Sequence, residues 1–381
     1  MNFELSDEQQ LLADSLRKYL ANDYSFDARA QIVASSTGYS EKTWAAFAEM
    51  GLLGIPFAEE HGGFGGNAVD LMSVMEVMGE SLVVEPYWTN VGVAGRLIAT
   101  GGSEAQRKRI LPALIQGKQR LAFAHTEAAS RYDLRSVGAR AKRSAGGFIL
   151  EGEKRAVLHA AAADTLIVSA RTSGADGDPS GISLFLIDRG ARGVTLKEYR
   201  TIDELRAADL WLNDVSVPAD ALLGGEGQAL GLIEDVADYA TALLCAEAVG
   251  GIRYANDTTL EYLKTRRQFG VPIGTFQALQ HRMVEMVISY EQTRSMACLA
   301  CVKVDTADAA ERRRVVSAAK IKIADAARHV SQEAVQMHGG MGMTDELKVS
   351  HTFRRLTMIG QTFGDAEHHL ERFAACEAAG G

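Results

Sequence analysis

The hydrophobic periodicity of the chain changes twice, and these changes limit the folds that it can adopt. Up to about residue 118, apolar residues recur at helical spacing, beginning after Ser6, which forms a capping-box pattern with Gln9. Short β-rich runs bounded by turn residues follow, and long helical periods then return. The pattern predicts a mainly α chain with a middle β domain. The predicted domains are an N-terminal helical domain (1–118), a middle β domain (119–225) and a C-terminal helical bundle (226–381).

Within the C-terminal part, the apolar stripes predict three long helices and one shorter helix. The long ones are expected at about 229–265, 275–304 and 308–338, and the short one at about 364–378. In the middle part, the β-rich runs and the strong turn at 176–181 predict a compact antiparallel β domain.

Charge and cysteine content exclude several classes of protein. The net charge of −9 gives nucleic-acid binding no electrostatic support. Four cysteines are too few for a disulfide scaffold and are typical of a reducing cytoplasm. No uncharged apolar run reaches the roughly 18 residues of a membrane span, and the first residues lack signal-peptide features. We therefore expect a cytoplasmic protein with no nucleic-acid or membrane partner.

One cysteine pair has a spacing that occurs in metal and redox sites. Cys298 and Cys301 are three residues apart, but they fall in an apolar-periodic helix without a second cysteine pair or a histidine pair. This context favours a buried helix face, and we expect no bound metal.

Two segments in the last third carry residue types suited to a diphosphate-containing ligand. Arg266 and Arg267 precede Phe269, and a guanidinium fork bonds two phosphate oxygens at once. The phenyl ring offers a flat apolar surface, and paired glycines let a backbone approach a ligand closely. Taken one at a time, these residues also have ordinary structural explanations. The two arginines could be a solvated charge pair, the phenylalanine a core residue and the glycines a helix C-cap. The candidate binding residues are Arg266, Phe269, Gln277, Gln336, Gly339 and Gly340.

In their order along the chain, three segments resemble signatures of the acyl-CoA dehydrogenase family. They are LAFAHTEAAS (121–130), RRQFGVPIGTFQALQH (266–281) and QMHGGMGMTDE (336–346). Within that family, the sequence is most similar to small subunits of pimeloyl-CoA dehydrogenases, through segments such as LLGIPFAEEHGGFGG (52–66) and FGDAEHHL (363–370).

The resemblance implies the family fold, with a β-barrel or sandwich followed by a four-helix bundle. It also implies FAD as cofactor, a tetramer, α,β-dehydrogenation of an acyl-CoA thioester and an electron-transfer flavoprotein as acceptor. It assigns flavin contacts to Thr126 and Thr362. In the family, the bundle of a neighbouring subunit contacts the adenine and diphosphate of FAD, so residues such as Arg266 and Phe269 would bind a partner's cofactor.

The chain departs from the family pattern at the catalytic base. Aligned on Thr362, the family's glutamate position in the loop before the last helix holds Gly360. Counting back from Phe269, the second family position, on the first bundle helix, holds Ala240. Neither residue accepts a proton, so the resemblance assigns no catalytic residue to this chain. Gly360 would retain only a backbone N–H for the thioester carbonyl.

The flavin-facing strand departs as well. Ala156, Val157 and Leu158 replace a tryptophan–isoleucine–threonine run that covers the flavin ring in the family. The chain thus lacks the family's residues at the base and at the flavin-ring cover, but it retains the ligand-binding residues of the helical bundle. This combination predicts that the chain's own flavin site is weak or empty. It further predicts an α2β2 heterotetramer with a homologous large subunit that has a complete site.

Two alternatives stay open from the sequence. The chain could be a self-sufficient homotetramer with an atypical base among its other carboxylates, of which Asp238, Glu247 and Asp365 are candidates, although Asp365 is also placed to cap the last helix. It could instead be a non-catalytic scaffold that binds acyl-CoA or a partner. The acyl group could be a dicarboxylyl, a fatty or a steroid side-chain group.

Overall fold

The computed structural model describes residues 6–380, with side chains as far as residue 378. The chain divides into two compact units. The first comprises Met1–Ala30, Asn67–Val83 and Thr241–Gly381, and the second comprises Gln31–Gly66 and Val84–Ala240. Among the described residues, none of the helices has the length and apolar character needed to cross a membrane.

The N-terminal part is helical, as predicted, and its first helix begins at the predicted capping box. Gln9 N donates to Ser6 Oγ at 3.2 Å, and Ser6 N donates to Gln9 Oε1 at 2.9 Å. The helices are α1 (Asp7–Asp23), α2 (Phe26–Ala34), α3 (Glu41–Glu49), α4 (Ala68–Ser81), α5 (Arg96–Gly101) and α6 (Glu104–Ile115). A π-helix, Trp88–Gly95, precedes α5, and all of its residues are buried.

The middle part forms an eight-stranded sheet in which the strand order is β6-β7-β3-β2-β4-β5-β8, with β1 beside β4. The strands are β1 (Leu121–Ala124), β2 (Arg140–Ser144), β3 (Gly147–Leu158), β4 (Thr165–Arg171), β5 (Ile182–Asp188), β6 (Val194–Arg200), β7 (Arg206–Pro218) and β8 (Leu222–Leu223). The prediction of an antiparallel domain was incomplete, because β1 and β2 each pair in parallel with β4. Apolar side chains such as Phe148 and Phe185, whose rings lie 5.0 Å apart, fill the sheet's core.

The three long C-terminal helices and the short last helix are confirmed. They are α7 (Leu230–Thr265), α8 (Gln277–Lys303), α9 (Ala309–His338) and α11 (Ala366–Gly380). A further helix, α10 (Lys348–Gln361), was not predicted. Two short strands, β9 (Arg267–Gln268) and β10 (Val271–Pro272), form a hairpin between α7 and α8.

Two glycines let α4 and α7 approach each other at backbone distance. A Cβ added to Gly79 would lie 1.9 Å from the carbonyl oxygen of Glu247, and one added to Gly250 would lie 1.8 Å from that of Glu76. No side chain fits at either place, so this crossing requires glycine on both helices.

Candidate active site

The hairpin between α7 and α8 presents Phe269 to solvent. Phe269 (φ 54°) and Gly270 (φ 84°) form its tip, and two successive positive φ angles are typical of a type I′ turn. The ring is 91% exposed. A left-handed conformation is uncommon for a bulky residue, and at Phe269 the tight turn requires it. The neighbouring Arg266 is exposed and makes no side-chain hydrogen bond or ion pair with the rest of the described chain.

The glycine pair at the end of α9 is held next to this hairpin. Gly339 ends α9 with φ 61°, and Cβ atoms added to Gly339 or Gly340 would meet no atom within 4 Å. The ring of His338 stacks on that of Tyr262 at 4.5 Å, and Tyr262 lies four residues before Arg266. This contact brings together the two predicted ligand-binding segments. Gln336 and Gln277 are exposed in the same unit.

Thr126 and His125 follow the end of β1 and differ in their exposure. Thr126 is exposed, and His125 is buried with its Nδ1 2.9 Å from Ser169 Oγ. Lys154, which has no exposed surface, donates to Ser169 Oγ (3.0 Å) and to Glu127 Oε1 (2.6 Å). Burial lowers the pKa of Lys154 to about 8. This buried polar cluster, which the sequence analysis missed, fixes the strand end that carries Thr126.

A β-bulge lies at the expected flavin-ring cover. The β3–β7 register shifts between Lys154 and Val157, and Ala156 has φ 51°. Arg155 donates to Asp209 Oδ2 at 2.7 Å and to Glu153 Oε2 at 2.8 Å. A charged, hydrogen-bonded network therefore occupies the surface of this bulge.

The guanidinium of Arg155 also lies over an aromatic ring. Its central carbon is 5.3 Å from the ring centre of Trp211, a cation–π distance. Tyr199 Oη donates to Asp209 Oδ1 at 3.2 Å, which joins β6 to the network.

Gly360 lies in the last turn of α10, whereas the sequence analysis placed it in a loop. As a helical residue, it directs its N–H along the helix towards the carbonyl four residues earlier, which leaves no backbone donor for a substrate. A Cβ added at Gly360 would meet no atom within 4 Å. Thr362 follows the helix, and its Oγ1 donates to Met358 O at 2.7 Å.

A cavity of about 380 Å³ opens beside Gly360. Its lining residues come from α9, α10 and the start of α11, and they include Arg328, Ser331, Leu356, Gly360 and Glu367. Gly360, which the family resemblance aligns with a base, therefore has no side chain and lies next to open space.

The other residue that the family resemblance aligns with a base is enclosed. Ala240 on α7 has no exposed surface, and its carbonyl oxygen accepts a hydrogen bond from Trp88 Nε1 at 3.0 Å. Five residues earlier on α7, Asp235 lies 3.8 Å from Arg96, whose guanidinium covers the ring of Tyr239 at 4.2 Å.

The alternative carboxylates have structural partners or are buried. Both oxygens of Glu247 are engaged by Arg355, at 2.6 and 2.7 Å, and both residues are buried. Asp365 Oδ1 accepts the N–H of His368 at 2.9 Å, which is the capping role expected from the sequence. Asp238 is buried on α7.

Cys298 and Cys301 are buried in α8, as predicted. Burial raises the pKa of both thiols, which disfavours the thiolate that metal or redox chemistry needs. Among residues 6–380, no group of three histidine, cysteine or acidic side chains is placed to hold a metal ion.

Comparison with known proteins agrees with this architecture. Domain models of acyl-CoA dehydrogenases match three consecutive regions: the N-terminal domain over residues 6–118, the middle domain over 122–215 and the C-terminal domain over 230–376. The L-prolyl peptidyl-carrier protein dehydrogenase of a Serratia species is 30% identical over 360 residues, which cover 91% of this chain and 90% of that protein.

Two solved structures extend the comparison over the whole chain. The FAD complex of PigA has a TM-score of 0.91, 27% identity and 100% coverage of both chains. The steroid ACAD named Tcur3481-Tcur3483, solved as a glycine-to-alanine variant, has a TM-score of 0.87, 27% identity and 98% coverage of both chains. The chain therefore belongs to the acyl-CoA dehydrogenase family, whose homologues bind FAD.

Proposed function

We propose that this chain is the subunit without a catalytic base in a heterotetrameric, FAD-dependent acyl-CoA dehydrogenase. Its partner is a homologous large subunit with a complete active site, in an α2β2 assembly. The observation that carries the proposal is Gly360, a residue without a side chain beside an open cavity, at the position where the family places its base.

The chemistry explains why this residue is decisive. Dehydrogenation of a thioester removes a proton from the α carbon and a hydride from the β carbon, and bound FAD supplies the hydride acceptor. The protein must supply a proton acceptor, and donors for the thioester oxygen as negative charge develops there. Gly360 has no side chain to take the proton, and its helical N–H is directed into α10.

Two of the alternative carboxylates are engaged in other contacts. A base must have an oxygen available at the reacting carbon. Both oxygens of Glu247 bond to Arg355, and Asp365 caps α11. These engagements weigh against a self-sufficient homotetramer.

The β-domain surface supports a weak flavin site in this chain. The isoalloxazine ring is flat, its dimethylbenzene end is apolar, and it needs a matching cover. At the corresponding bulge, Arg155 is bonded to Asp209 and Glu153 instead. Placing the ring there would remove charged groups from water or break their ion pairs, so the residues present do not fit the ring.

The bundle surface, in contrast, fits the nucleotide end of FAD. Arg266 offers an exposed guanidinium, Phe269 an exposed ring and Gly340 an open backbone. These are the groups that bind a diphosphate, stack on an adenine and permit close approach. Gln277, Gln336 and Gly339 would add further contacts. We infer that they contact the partner's FAD, while Thr126 and Thr362 keep the flavin contacts that the family resemblance assigns to each.

An apolar face on α8 supports a subunit contact in the same unit. Val284, Val287 and Ile288 are 57%, 43% and 50% exposed, and they follow one another along one side of the helix. Apolar helix faces of this kind are commonly buried against a partner. We assign this face to the homologous large subunit.

The finer functional features belong to the same proposal. The substrate is an acyl-CoA thioester with a dicarboxylyl, fatty or steroid side-chain group, the first supported by the pimeloyl-type resemblance and the last by the steroid-related structural neighbour. An electron-transfer flavoprotein accepts the electrons, and the enzyme acts in the cytoplasm. The domain boundaries near residues 118 and 225 are likewise proposed.

Flavin stoichiometry tests the assembly. The chain is expressed alone and together with a homologous large subunit from the same organism, and FAD is measured per chain. We expect one FAD for each pair of chains in the complex and little FAD in the isolated chain. One FAD per chain in the isolated protein would contradict the heteromer.

A matched pair of variants localises the contact to the hairpin. Arg266→Met in the small chain should lower the FAD content of the complex, because it removes the proposed diphosphate ligand. Lys264→Met removes a nearby exposed positive charge, which pairs with Glu261, and should leave the FAD content unchanged.

A further inference from the structure

Lys320 on α9 is fully buried, yet it is surrounded by carbonyl oxygens instead of carboxylates. Its Nζ donates to Ile359 O at 2.6 Å, to Thr362 O and Gly364 O at 2.9 Å each, and to Gly360 O at 3.3 Å. All four acceptors belong to the last turn of α10 and the turn that follows it.

These carbonyls need a donor because of their position. The last four carbonyls of an α-helix have no partner within the helix. In the turn beyond the helix, the regular series of backbone hydrogen bonds has ended, so carbonyls there also lack helical partners. The ammonium of Lys320 satisfies several of them at once, and its positive charge is favourable at a helix C-terminus. One side chain thus holds the whole turn from Ile359 to Gly364.

The charged groups around Lys320 do not provide another explanation for it. Asp365 is near enough to favour the charged amine, but no carboxylate bonds to Nζ among the described residues. His369 is buried beside the same turn, with Nε2 3.0 Å from Phe363 O, and burial lowers its pKa to about 2, so it stays neutral. Burial lowers the pKa of Lys320 to about 8, so the amine is still mostly protonated at neutral pH.

We infer that Lys320 is a positioning residue that fixes the turn carrying Gly360 and Thr362, and so sets where this chain meets the thioester and the flavin. The inference rests on the proposed function for the identity of the ligands. The geometry of the turn itself does not depend on it. A buried ammonium is costly to retain, and a surface turn of the same length could bond to water.

Hydrogen exchange tests the positioning independently of activity. In the complex with the large subunit, Lys320→Met should raise the exchange rate of the amides at 361–366 by at least about tenfold, with the first turns of α9 and α10 unchanged. Lys320→Arg, which keeps the charge and the donors, should restore most of the protection. Equal loss of protection across the whole unit, or no change in the turn, would overturn the inference.

Lys348→Met is the matched control. Lys348 is also a lysine that donates to a helix-end carbonyl, Glu80 O at 2.6 Å, but it caps α4. Its replacement should lower the melting temperature to a similar degree without affecting exchange at 361–366. If Lys348→Met raised the amide exchange rates at 361–366 as much as Lys320→Met does, the effect of replacing Lys320 would be general destabilisation. The inference would then fail.

A kinetic readout separates positioning from stability. With a base supplied by Gly360→Glu in the isolated chain, adding Lys320→Met should slow the exchange of acyl-CoA α protons with deuterated water by about tenfold or more, because the base is misplaced. The acyl-CoA concentration that gives half the maximal exchange rate should stay within about twofold, because binding persists. An unchanged exchange rate would overturn the positioning role. If Gly360→Glu alone exchanges no α protons, the assignment of Gly360 to the base position is in question, and the amide exchange experiment still decides the role of Lys320.

Discussion

The indole Nε1 of Trp88 donates a hydrogen bond to the carbonyl oxygen of Ala240 at 3.0 Å. The π-helix that begins at Trp88 therefore covers the position on α7 at which the family resemblance places one possible base. At Gly360, the other such position, a Cβ would meet no atom within 4 Å. Ala240 and Gly360 thus differ in the space available for a carboxylate side chain, which is small at Ala240 and large at Gly360.

Ala240→Glu is expected to destabilise the protein. Ala240 has no exposed surface, so the new carboxylate would be buried, and an unpaired buried charge costs about 3–5 kcal/mol. Urea unfolding of the isolated chain measures the loss. Gly360→Glu is the counterpart, and it should change the free energy of unfolding by less than about 1 kcal/mol, because the side chain enters open space. Equal losses at the two positions would contradict the difference in space.

Gly360→Glu should also give this chain α-proton abstraction, which needs a base and a bound thioester but no electron transfer to a flavin. A correctly placed general base contributes roughly 100- to 10,000-fold to the rate. The readout is exchange of the α protons of an acyl-CoA with deuterated water. Gly360→Gln has almost the same shape and cannot take a proton, so it should remain at the wild-type rate. A glutamine variant as active as the glutamate variant would show that the side chain acts in some other way.

Phe269→Gly should separate stability from cofactor binding. Glycine adopts the positive φ of 54° without strain, so the free energy of unfolding of the isolated chain should rise by about 0.5–1 kcal/mol. The FAD content of the complex should fall, because the exposed ring is lost. Leu11→Ala removes another exposed apolar side chain, on α1, and should leave the FAD content as it is. Full FAD content in the glycine variant would remove Phe269 from the cofactor site.

Gly250→Ala tests the close crossing of α4 and α7. Its methyl group would lie 1.8 Å from Glu76 O, so the helices must move apart, at a cost of about 2–4 kcal/mol. Gly231→Ala on the same helix meets no atom within 4 Å and should stabilise by up to about 1 kcal/mol. Urea unfolding compares the two variants, and a tolerated alanine at 250 would refute the crossing.

The buried imidazole of His125 should make stability depend on pH. Burial, and to a lesser extent Lys154, lowers the pKa of His125 to about 3, from 6.5 in an exposed histidine. Between these values the unfolded chain binds a proton that the folded chain does not. The contribution of the neutral His125 imidazole to the free energy of unfolding is therefore fully present above pH 6.5. It is lost as the pH falls towards 3, at about 1.4 kcal/mol per pH unit. His125→Val should flatten the decline in unfolding free energy between about pH 6 and 4.5, and an unchanged slope would contradict the assignment.

The order of helical, β and helical parts was predictable, because apolar residues recur about every 3.6 residues in a helix and about every second residue in a strand. The helix α10 was missed although its buried residues Val349, Thr352, Leu356 and Ile359 follow helical spacing. A threonine in the apolar stripe and glycines on both sides hid the pattern. This omission placed Gly360 in a loop and gave it an available N–H.

The parts of the site made by long-range contacts could not be predicted. Lys320 falls on the apolar stripe of its helix, between Val316 and Ile323, which is the one local sign of a buried role. Its four carbonyl partners are about 40 residues away in sequence, and no local pattern specifies them. The cover of Ala240 by Trp88 likewise joins positions that are 152 residues apart.

The central claim, that this chain does not dehydrogenate an acyl-CoA by itself, is tested most directly by flavin reduction in the isolated chain. The purified protein is supplied with FAD and mixed anaerobically with an acyl-CoA, and the visible absorbance of the flavin is followed. We predict that the absorbance stays constant until the homologous large subunit is added. Bleaching of the flavin at enzymatic rates by this chain alone would contradict the account.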